Sequence, residues 1–135
     1  MKKRLLSLAL ALTMLLTSAS AAFADVSDAK LSQTASVLSA LGIMQGVGGD
    51  RFDPNSELTR AQFCKLAVTA LGVDDVSAFR SYTIFPDVKS SHWAAPYINA
   101  AVRHAELKKL SIIRGYADGN FGPDKTVNFG EACTM

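Results

Sequence analysis

Residues 115–131 read GYADGNFGPDKTVNFGE, and the carboxylates, amides and glycines of this stretch could bind a calcium ion, a phosphate or a sugar. A calcium loop of the EF-hand type needs glycine at its sixth position and glutamate at its twelfth. Counted from Asp118, those positions hold Pro123 and Phe129. The phosphate-binding pattern GxxxxGK[ST] is absent, as is CxxC or HExxH spacing for zinc. The pattern therefore favours a loop with an architectural role, and we expect no metal or cofactor.

This stretch belongs to one of two copies of an internal repeat. Residues 41–64, LGIMQGVGGDRFDPNSELTRAQFC, align without a gap with residues 110–133, LSIIRGYADGNFGPDKTVNFGEAC. Self-similarity of this order predicts a duplicated structural unit. The identical pairs include Leu41 with Leu110, Gly46 with Gly115, Phe52 with Phe121, and Cys64 with Cys133.

A helical pattern precedes each loop, because apolar residues recur there at spacings of three or four. Ser27 is expected to cap the first of these helices. Pro96 is expected in the first turn of the second, where its missing N–H costs least. The apolar residues are Leu31, Ala35, Leu38 and Leu41 in the first copy, and Trp93, Tyr97, Ala101 and Ala105 in the second.

A capped helix follows each loop. Thr59 and Gln62 have the spacing of a capping box, in which the hydroxyl accepts from a backbone amide and the glutamine side chain bonds back. Asn128 and Glu131 repeat this pattern in the second copy. The first of these helices is expected over residues 60–71. Each unit is therefore a helix, a Gly-rich loop and a capped helix, and the predicted fold class is mainly α.

The loop residues themselves are expected to shape the turn. Glycine permits positive φ, aromatic rings fill the core, and aspartate fixes turns by accepting from backbone amides. The residues expected to act in these ways are the glycines Gly46, Gly115 and Gly119, the aromatics Phe52 and Phe121, and the aspartates Asp87 and Asp118.

The N-terminus has the three parts of a secretory leader. Residues 2–4 are basic, residues 5–16 form the apolar run LLSLALALTMLL, and Ala22-Phe23-Ala24 is a small-x-small cleavage signal. We expect a signal peptide over residues 1–24, with cleavage before Asp25. The alternative is a retained anchor, but the apolar run is short for a membrane span. No stable span is expected after cleavage.

The distribution of charge argues against a nucleic-acid partner, and the two cysteines admit two interpretations. The chain has 14 Lys and Arg against 12 Asp and Glu, and three of the basic residues lie in the leader. No basic stripe is present that could neutralise phosphates, so a nucleic-acid partner is not expected. An exported protein could pair Cys64 with Cys133. The apolar neighbours of Cys64 favour a small buried residue instead.

The second copy resembles the S-layer homology (SLH) motif. That motif runs F-x-D, H-W-A, a helix, G-Y-x-D-G-x-F and then T-R-A-E, and residues 85–135 carry FPDVKSSHWAAPYI and GYADGNFGPDKTVNFGEA in this order. Residues 26–72 resemble a divergent motif that keeps LTRAQF and is interpreted as lacking the F-x-D and H-W-A opening. Residues 73–84 are then a linker, and the second motif has an incomplete final helix.

The resemblance implies that these repeats form part of a pseudo-threefold helical bundle. Its grooves would bind anionic, often pyruvylated, secondary cell-wall polysaccharide. The resemblance assigns glycan binding to the Arg of T-R-A-E, which only Arg60 matches, since Asn128 and Phe129 replace Thr and Arg in the second copy. We expect Phe129 to pack. A guanidinium at a helix N-terminus could bind a carboxylate bidentately; the alternative is an ordinary exposed arginine. Trp93 is either a sugar-stacking platform or, as its place beside a packed helix favours, a core residue.

A secreted, non-catalytic module at the cell wall of a Gram-positive-type bacterium follows from this resemblance. No nucleophile–base constellation is evident in the sequence, so an enzyme is not expected. Two alternatives stay open. The chain is the N-terminal anchor region of an exported enzyme whose catalytic domain is missing, or of a structural surface-layer subunit. Because the last helix is clipped, association between chains through the incomplete bundle is also expected.

Overall fold

The computed structural model describes residues 23–81 and 83–134. This part of the chain is mainly helical, which confirms the predicted fold class. Its helices are α1 Ala29–Ala40, α2 Arg60–Ala70, a 3-10 helix Ser77–Phe79, α3 Ala95–Arg103, α4 Ala105–Leu110 and α5 Phe129–Thr134.

The described residues contain little β-structure. Two isolated antiparallel bridges join Gly48 to Arg51 and Thr59 to Thr126. None of the described helices combines the length and apolar character needed to cross a membrane. The predicted leader, residues 1–24, lies outside the described residues apart from its last two positions. The chain divides into an N-terminal unit that ends at Pro54 and a C-terminal unit that begins at Asn55.

The N-terminal unit is built around α1. Asp28 caps this helix by accepting from the Leu31 amide over 2.7 Å. The prediction of Ser27 as the cap is therefore wrong, because the helix begins at Ala29 and the residue just before it, Asp28, supplies the capping oxygen. The helix ends before Gly42, whose φ of 70° permits the left-handed exit turn. Of the predicted apolar face, only Ala35 is fully buried.

The core of the N-terminal unit consists of few side chains. Phe23, Val26 and Ala35 are buried together, and Phe52 packs against them. Phe23 and Phe52 lie with their ring centres 5.0 Å apart. These two aromatic rings contribute most of the apolar volume here, so the start and the end of the unit are joined through them.

The C-terminal unit contains the larger core. Helices α2 and α3 pack against each other, and the loop that follows α4 covers one end of the pair. Pro96 lies in the first turn of α3, as predicted. The largest side chains that are fully buried in this core are Phe121, Ile98, Leu107, Val68 and Val88.

Two features of the C-terminal unit differ from the sequence-based expectation. The residues assigned to a linker are packed: Val73 and Val76 are buried, and the Phe79 carbonyl accepts from the Asn99 side chain over 2.8 Å. The helix expected to continue to Ala105 is also broken. His104 adopts an extended ψ of 133° and separates α3 from α4, which no local residue pattern had indicated.

Candidate functional site

The loop between α4 and α5 is held by one carboxylate. Asp87 accepts from the Phe121 amide over 2.8 Å and from the Gly122 amide over 2.7 Å. Asp118 accepts from the Asn120 amide within the same loop. This backbone hydrogen bond is the main reason why the pKa of Asp118 lies below its usual range. Both aspartates therefore bond the backbone of the turn.

The N-terminal unit repeats this arrangement, in which one carboxylate accepts from two consecutive backbone amides; we call it the carboxylate clasp. Asp25 accepts from the Phe52 amide over 2.8 Å and from the Asp53 amide over 2.7 Å. The bond from Phe52 is the main cause of the lowered pKa of Asp25. Phe23 packs on Phe52 as Phe85 packs on Phe121, where the ring centres are 5.4 Å apart. The interpretation that the first copy lacks an F-x-D opening is therefore wrong.

Sequence reasoning missed Phe23 because it counted this residue with the leader, and it missed Asp25 because the first motif was taken to begin at residue 26. The signal was present, since Phe23-Ala24-Asp25-Val26 matches Phe85-Pro86-Asp87-Val88 at three of its four positions. The chain between opening and loop is shorter in the first copy, so a gapless comparison of the two copies could not align both the openings and the loops.

The glycines of the two loops lie beneath the aromatic rings. A methyl group at Gly46 would lie 2.9 Å from the Phe23 ring, and one at Gly115 would lie 2.6 Å from the Phe85 ring. Gly46 and Gly119 have positive φ, as predicted. Gly115 does not, so that expectation is wrong: glycine is needed at this position for space beneath Phe85.

Helix α2 begins with all of its first amides satisfied by the protein. The Arg60 amide donates to the Lys125 carbonyl over 2.8 Å, and the Ala61 amide donates to the Pro123 carbonyl over 2.9 Å. Thr59 and Gln62 form the capping box. Because the loop occupies these donors, the helix N-terminus offers no open set of amides to an anion.

Arg60 is buried beneath the same loop. Its side chain donates through Nε to the Phe121 carbonyl over 2.8 Å and through Nη2 to the Arg114 carbonyl over 3.0 Å. The guanidinium lies 4.4 Å from the centre of the Tyr116 ring. Only 3% of the residue is exposed, so it is neither an ordinary surface arginine nor an open anion receptor.

Glu131 balances the charge of Arg60. Its Oε1 lies 3.7 Å from Arg60 Nη1 and accepts from the Tyr116 hydroxyl over 2.9 Å. Glu131 and Asn128 also bond reciprocally at the start of α5. The bond from the Asn128 amide is the main cause of the lowered pKa of Glu131, and desolvation is the main cause of the raised pKa of Tyr116. These contacts link the loop to α2 through Arg60 and to α5 through Glu131.

Trp93 lies at the surface of the C-terminal unit. Its exposed fraction is 51%, so the expectation that it belongs to the core is wrong. The neighbouring His92 ring centre is 5.8 Å from that of Trp93, and His92 Nε2 lies 3.5 Å from Asp124. His92 Nδ1 accepts from the Ala94 amide over 3.2 Å, which fixes the turn just before α3. We call His92, Trp93 and Asp124 the Trp93 surface.

Phe129 is also exposed, at 86%, and the expectation that its ring packs is wrong. Phe129 occupies the repeat position of Arg60, but it has no loop to enter in the described residues. Cys64 is fully buried and Cys133 exposed, and both are free. Burial raises the pKa of Cys64 to about 12. Among the described residues, no cluster of His, Cys, Asp and Glu could hold a metal ion.

Comparison with known proteins connects these features to a family. The family model of the S-layer homology domain matches residues 22–64 and 84–133. The first match begins one residue before Phe23 and therefore includes the opening that the two clasps share. No solved structure matches the chain significantly.

The relatives are surface proteins and larger enzymes. A surface layer protein of Brevibacillus choshinensis is 33% identical over 80% of this chain and 9% of its own length. A cellulosome-anchoring protein of Acetivibrio thermocellus is 34% identical over 68% of this chain and 20% of its own length. An amylopullulanase of Thermoanaerobacterium thermosulfurigenes is 31% identical over 69% of this chain. The chain spans a fifth or less of the length of these relatives.

Proposed function

Because this chain belongs to the S-layer homology domain family, we propose that it is a non-catalytic module that binds an anionic, pyruvylated secondary cell-wall polysaccharide. The chain is a secreted protein of the cell surface, and a cell-surface anchoring role follows from its family and relatives. The identity of the glycan and the residues that contact it are the proposed part.

The observation that carries the proposal is the exposure of Trp93. With 51% of its surface exposed, Trp93 leaves its indole open to a ligand, and an indole combines an apolar face with a polar N–H. A flat aromatic face can stack on the apolar face of a sugar ring. Trp93 lies just before α3 beside His92, whose bond from the Ala94 amide fixes the turn that carries the indole. Preorganisation of this kind lowers the entropic cost of binding.

The positive charge needed for an anionic glycan would come from Lys125. Its Nζ lies 4.5 Å from the centre of the Tyr116 ring, and the residue is exposed. Asp124, the residue just before Lys125, lies 3.5 Å from His92 Nε2. Lys125 is therefore attached to the same turn as the Trp93 surface.

The resemblance assigned glycan binding to Arg60 as well. We propose that Arg60 is a positioning residue, because its guanidinium bonds the carbonyls of Phe121 and Arg114 from below the loop. It would thereby hold the turn that carries Lys125. Arg60 would then contribute to glycan binding indirectly, by keeping the loop in its folded conformation.

The relatives are proteins of different kinds. One is a cellulosome-anchoring protein, another a surface layer protein and a third an amylopullulanase. We propose that the module attaches whatever the whole protein carries, either an exported enzyme or a structural surface-layer subunit. The proposal for the module itself is the same in both cases.

The test is sedimentation of the purified chain with cell-wall sacculi that carry pyruvylated polysaccharide. Trp93→Ala should weaken binding about tenfold, which corresponds to about 1.4 kcal/mol. Phe129→Ala is the matched control, because it also removes an exposed aromatic from the C-terminal unit, and its binding should equal that of the natural chain. Circular dichroism should show both variants folded.

Two further conditions define the result. Binding of the natural chain should weaken as salt is raised, since the ligand is anionic. Sacculi from which the polysaccharide has been removed chemically should not bind. Undiminished binding by folded Trp93→Ala would remove the indole from the site, and failure of the natural chain to bind would refute the proposed function.

A further inference from the structure

We infer that the exported chain keeps Phe23, because its leader is removed on the N-terminal side of this residue. The chain offers several small-x-small signals close together. Ala22-Phe23-Ala24 directs a cut before Asp25, whereas Ala19-Ser20-Ala21 and Ser20-Ala21-Ala22 direct cuts before Ala22 and Phe23. The sequence alone does not distinguish them. The folded structure does, since cuts on either side of Phe23 leave different N-terminal units.

Phe23 is part of the fold of the N-terminal unit. It is 9% exposed, its ring centre lies 5.0 Å from that of Phe52, and its edge lies over Gly46. Among the residues of this unit that the structure describes, the buried core otherwise consists of Val26 and Ala35. Removing Phe23 would take away the largest buried side chain and uncover Phe52.

The backbone next to Phe23 is used as well. The Ala24 amide donates to the Asp50 carbonyl over 2.8 Å, and the Val26 amide donates to the Phe23 carbonyl over 3.2 Å. A cut before Asp25 would remove both bonds. It would also place a new ammonium group on Asp25, whose carboxylate holds the amides of Phe52 and Asp53. A charge so close would compete for that carboxylate.

The F-x-D opening of the C-terminal unit, Phe85-Pro86-Asp87, lies far from any leader and makes the same contacts. Phe85 packs on Phe121 and lies over Gly115, while Asp87 accepts from the amides of Phe121 and Gly122. Each contact has its counterpart in Phe23, Phe52, Gly46 and Asp25. An opening that makes the same set of contacts in both units is a structural element, and a cut after Ala24 would divide it.

The proposed step is an ordinary peptide hydrolysis. Water adds across the Ala21–Ala22 or the Ala22–Phe23 bond, leaving a carboxylate on the residue before the cut and an ammonium group on the residue after it. The contacts of Phe23 with Phe52 and Gly46 are the reason for placing the cut before this residue.

The test expresses the full chain with its leader in a secreting Gram-positive host and determines the N-terminus by sequencing and intact mass. A mature chain that begins at Ala22 or Phe23 supports the inference. A start at Asp25, or retention of Met1, overturns it. Ala24→Leu is the matched variant, because it blocks only the downstream signal. Its mature N-terminus should equal that of the natural chain, and loss of processing would overturn the inference.

A second measurement tests the structural reason directly. Two leaderless chains, one beginning at Ala22 and one at Asp25, are compared by amide hydrogen exchange. The Phe52 and Asp53 amides should exchange at least several-fold faster in the shorter chain. The Phe121 and Gly122 amides, held by Asp87, should be unchanged and serve as the internal control. Equal protection at Phe52 and Asp53 in both chains would overturn the structural argument.

Discussion

Arg60 donates through Nε to the carbonyl of Phe121 over 2.8 Å, and its guanidinium lies 5.0 Å from the centre of the Phe121 ring. These residues come from different copies of the sequence repeat. The capped helix α2, which ends the first copy, thus completes the loop of the second. The structural units therefore do not coincide with the repeats, since the division of the chain falls at Pro54, between the first loop and its capped helix.

Replacing Arg60 should lower the free energy of unfolding of the C-terminal unit. Arg60→Ala removes the donors to the Phe121 and Arg114 carbonyls, and leaving a buried acceptor such as the Phe121 carbonyl unsatisfied costs about 1–3 kcal/mol. The exposed Arg80 is the matched control, and Arg80→Ala should change the free energy of unfolding by no more than about 0.5 kcal/mol. Urea denaturation followed by circular dichroism measures both. Similar denaturation midpoints for the two variants would contradict a stabilising role of the bonds from Arg60 to the loop.

A methyl group at Gly115 should also destabilise the C-terminal unit. It would lie 2.6 Å from the Phe85 ring and 2.9 Å from the Asn120 carbonyl oxygen, so Gly115→Ala should cost about 1–3 kcal/mol through overpacking. Gly130→Ala is the control. That position lies in α5, its nearest contact would be at 3.4 Å, and alanine is the better helix former. Thermal unfolding should place Gly115→Ala well below the natural chain and Gly130→Ala at or above it; the reverse order would show that the space beneath Phe85 is not limiting.

Acid should weaken the loops. The backbone hydrogen bonds from Phe52, Asn120 and Asn128 hold the pKa values of Asp25, Asp118 and Glu131, respectively, below their usual 3.8 and 4.5. Each unfolded carboxyl therefore binds its proton more readily than the folded one does. The stabilisation is complete above these usual values and is lost as the pH falls through the lower, folded ones.

The measurement is the thermal midpoint between pH 6 and pH 2. It should stay level above about pH 5 and fall below about pH 4. Glu131→Gln removes one of the three groups, so its midpoint should depend less steeply on pH in the acid range. An unchanged acid slope in this variant would show that Glu131 does not contribute to the pH dependence.

The two thiols should differ in reactivity. Cys64 is fully buried, and burial raises its pKa to about 12, so little thiolate is available near neutral pH. Cys133 is exposed. A thiol reagent at pH 8 should therefore label one site in the native chain and none in folded Cys133→Ser, with Cys64 reacting only after denaturation. Rapid native labelling of Cys133→Ser would mean that α2 separates from the core far more often than its packing implies.

Local patterns in the sequence were sufficient for most of the secondary structure. The capping box of Thr59 and Gln62 and the reciprocal bonds of Asn128 and Glu131 involve residues three apart, so nothing distant is needed to predict them. The repeat between residues 41–64 and 110–133 likewise follows from the sequence alone. The same patterns carried the resemblance to the S-layer homology family, which the family comparison confirms.

Tertiary structure decided the role of each residue at the candidate site. Arg60 is buried because a loop about sixty residues further along the chain covers it, whereas that loop leaves Trp93 open. Phe23 and Asp25 belong to the fold because they contact Phe52, a pairing hidden by the unequal lengths of chain between opening and loop. Helical periodicity and capping report which residues are neighbours along the chain, whereas burial depends on which distant segment packs over them.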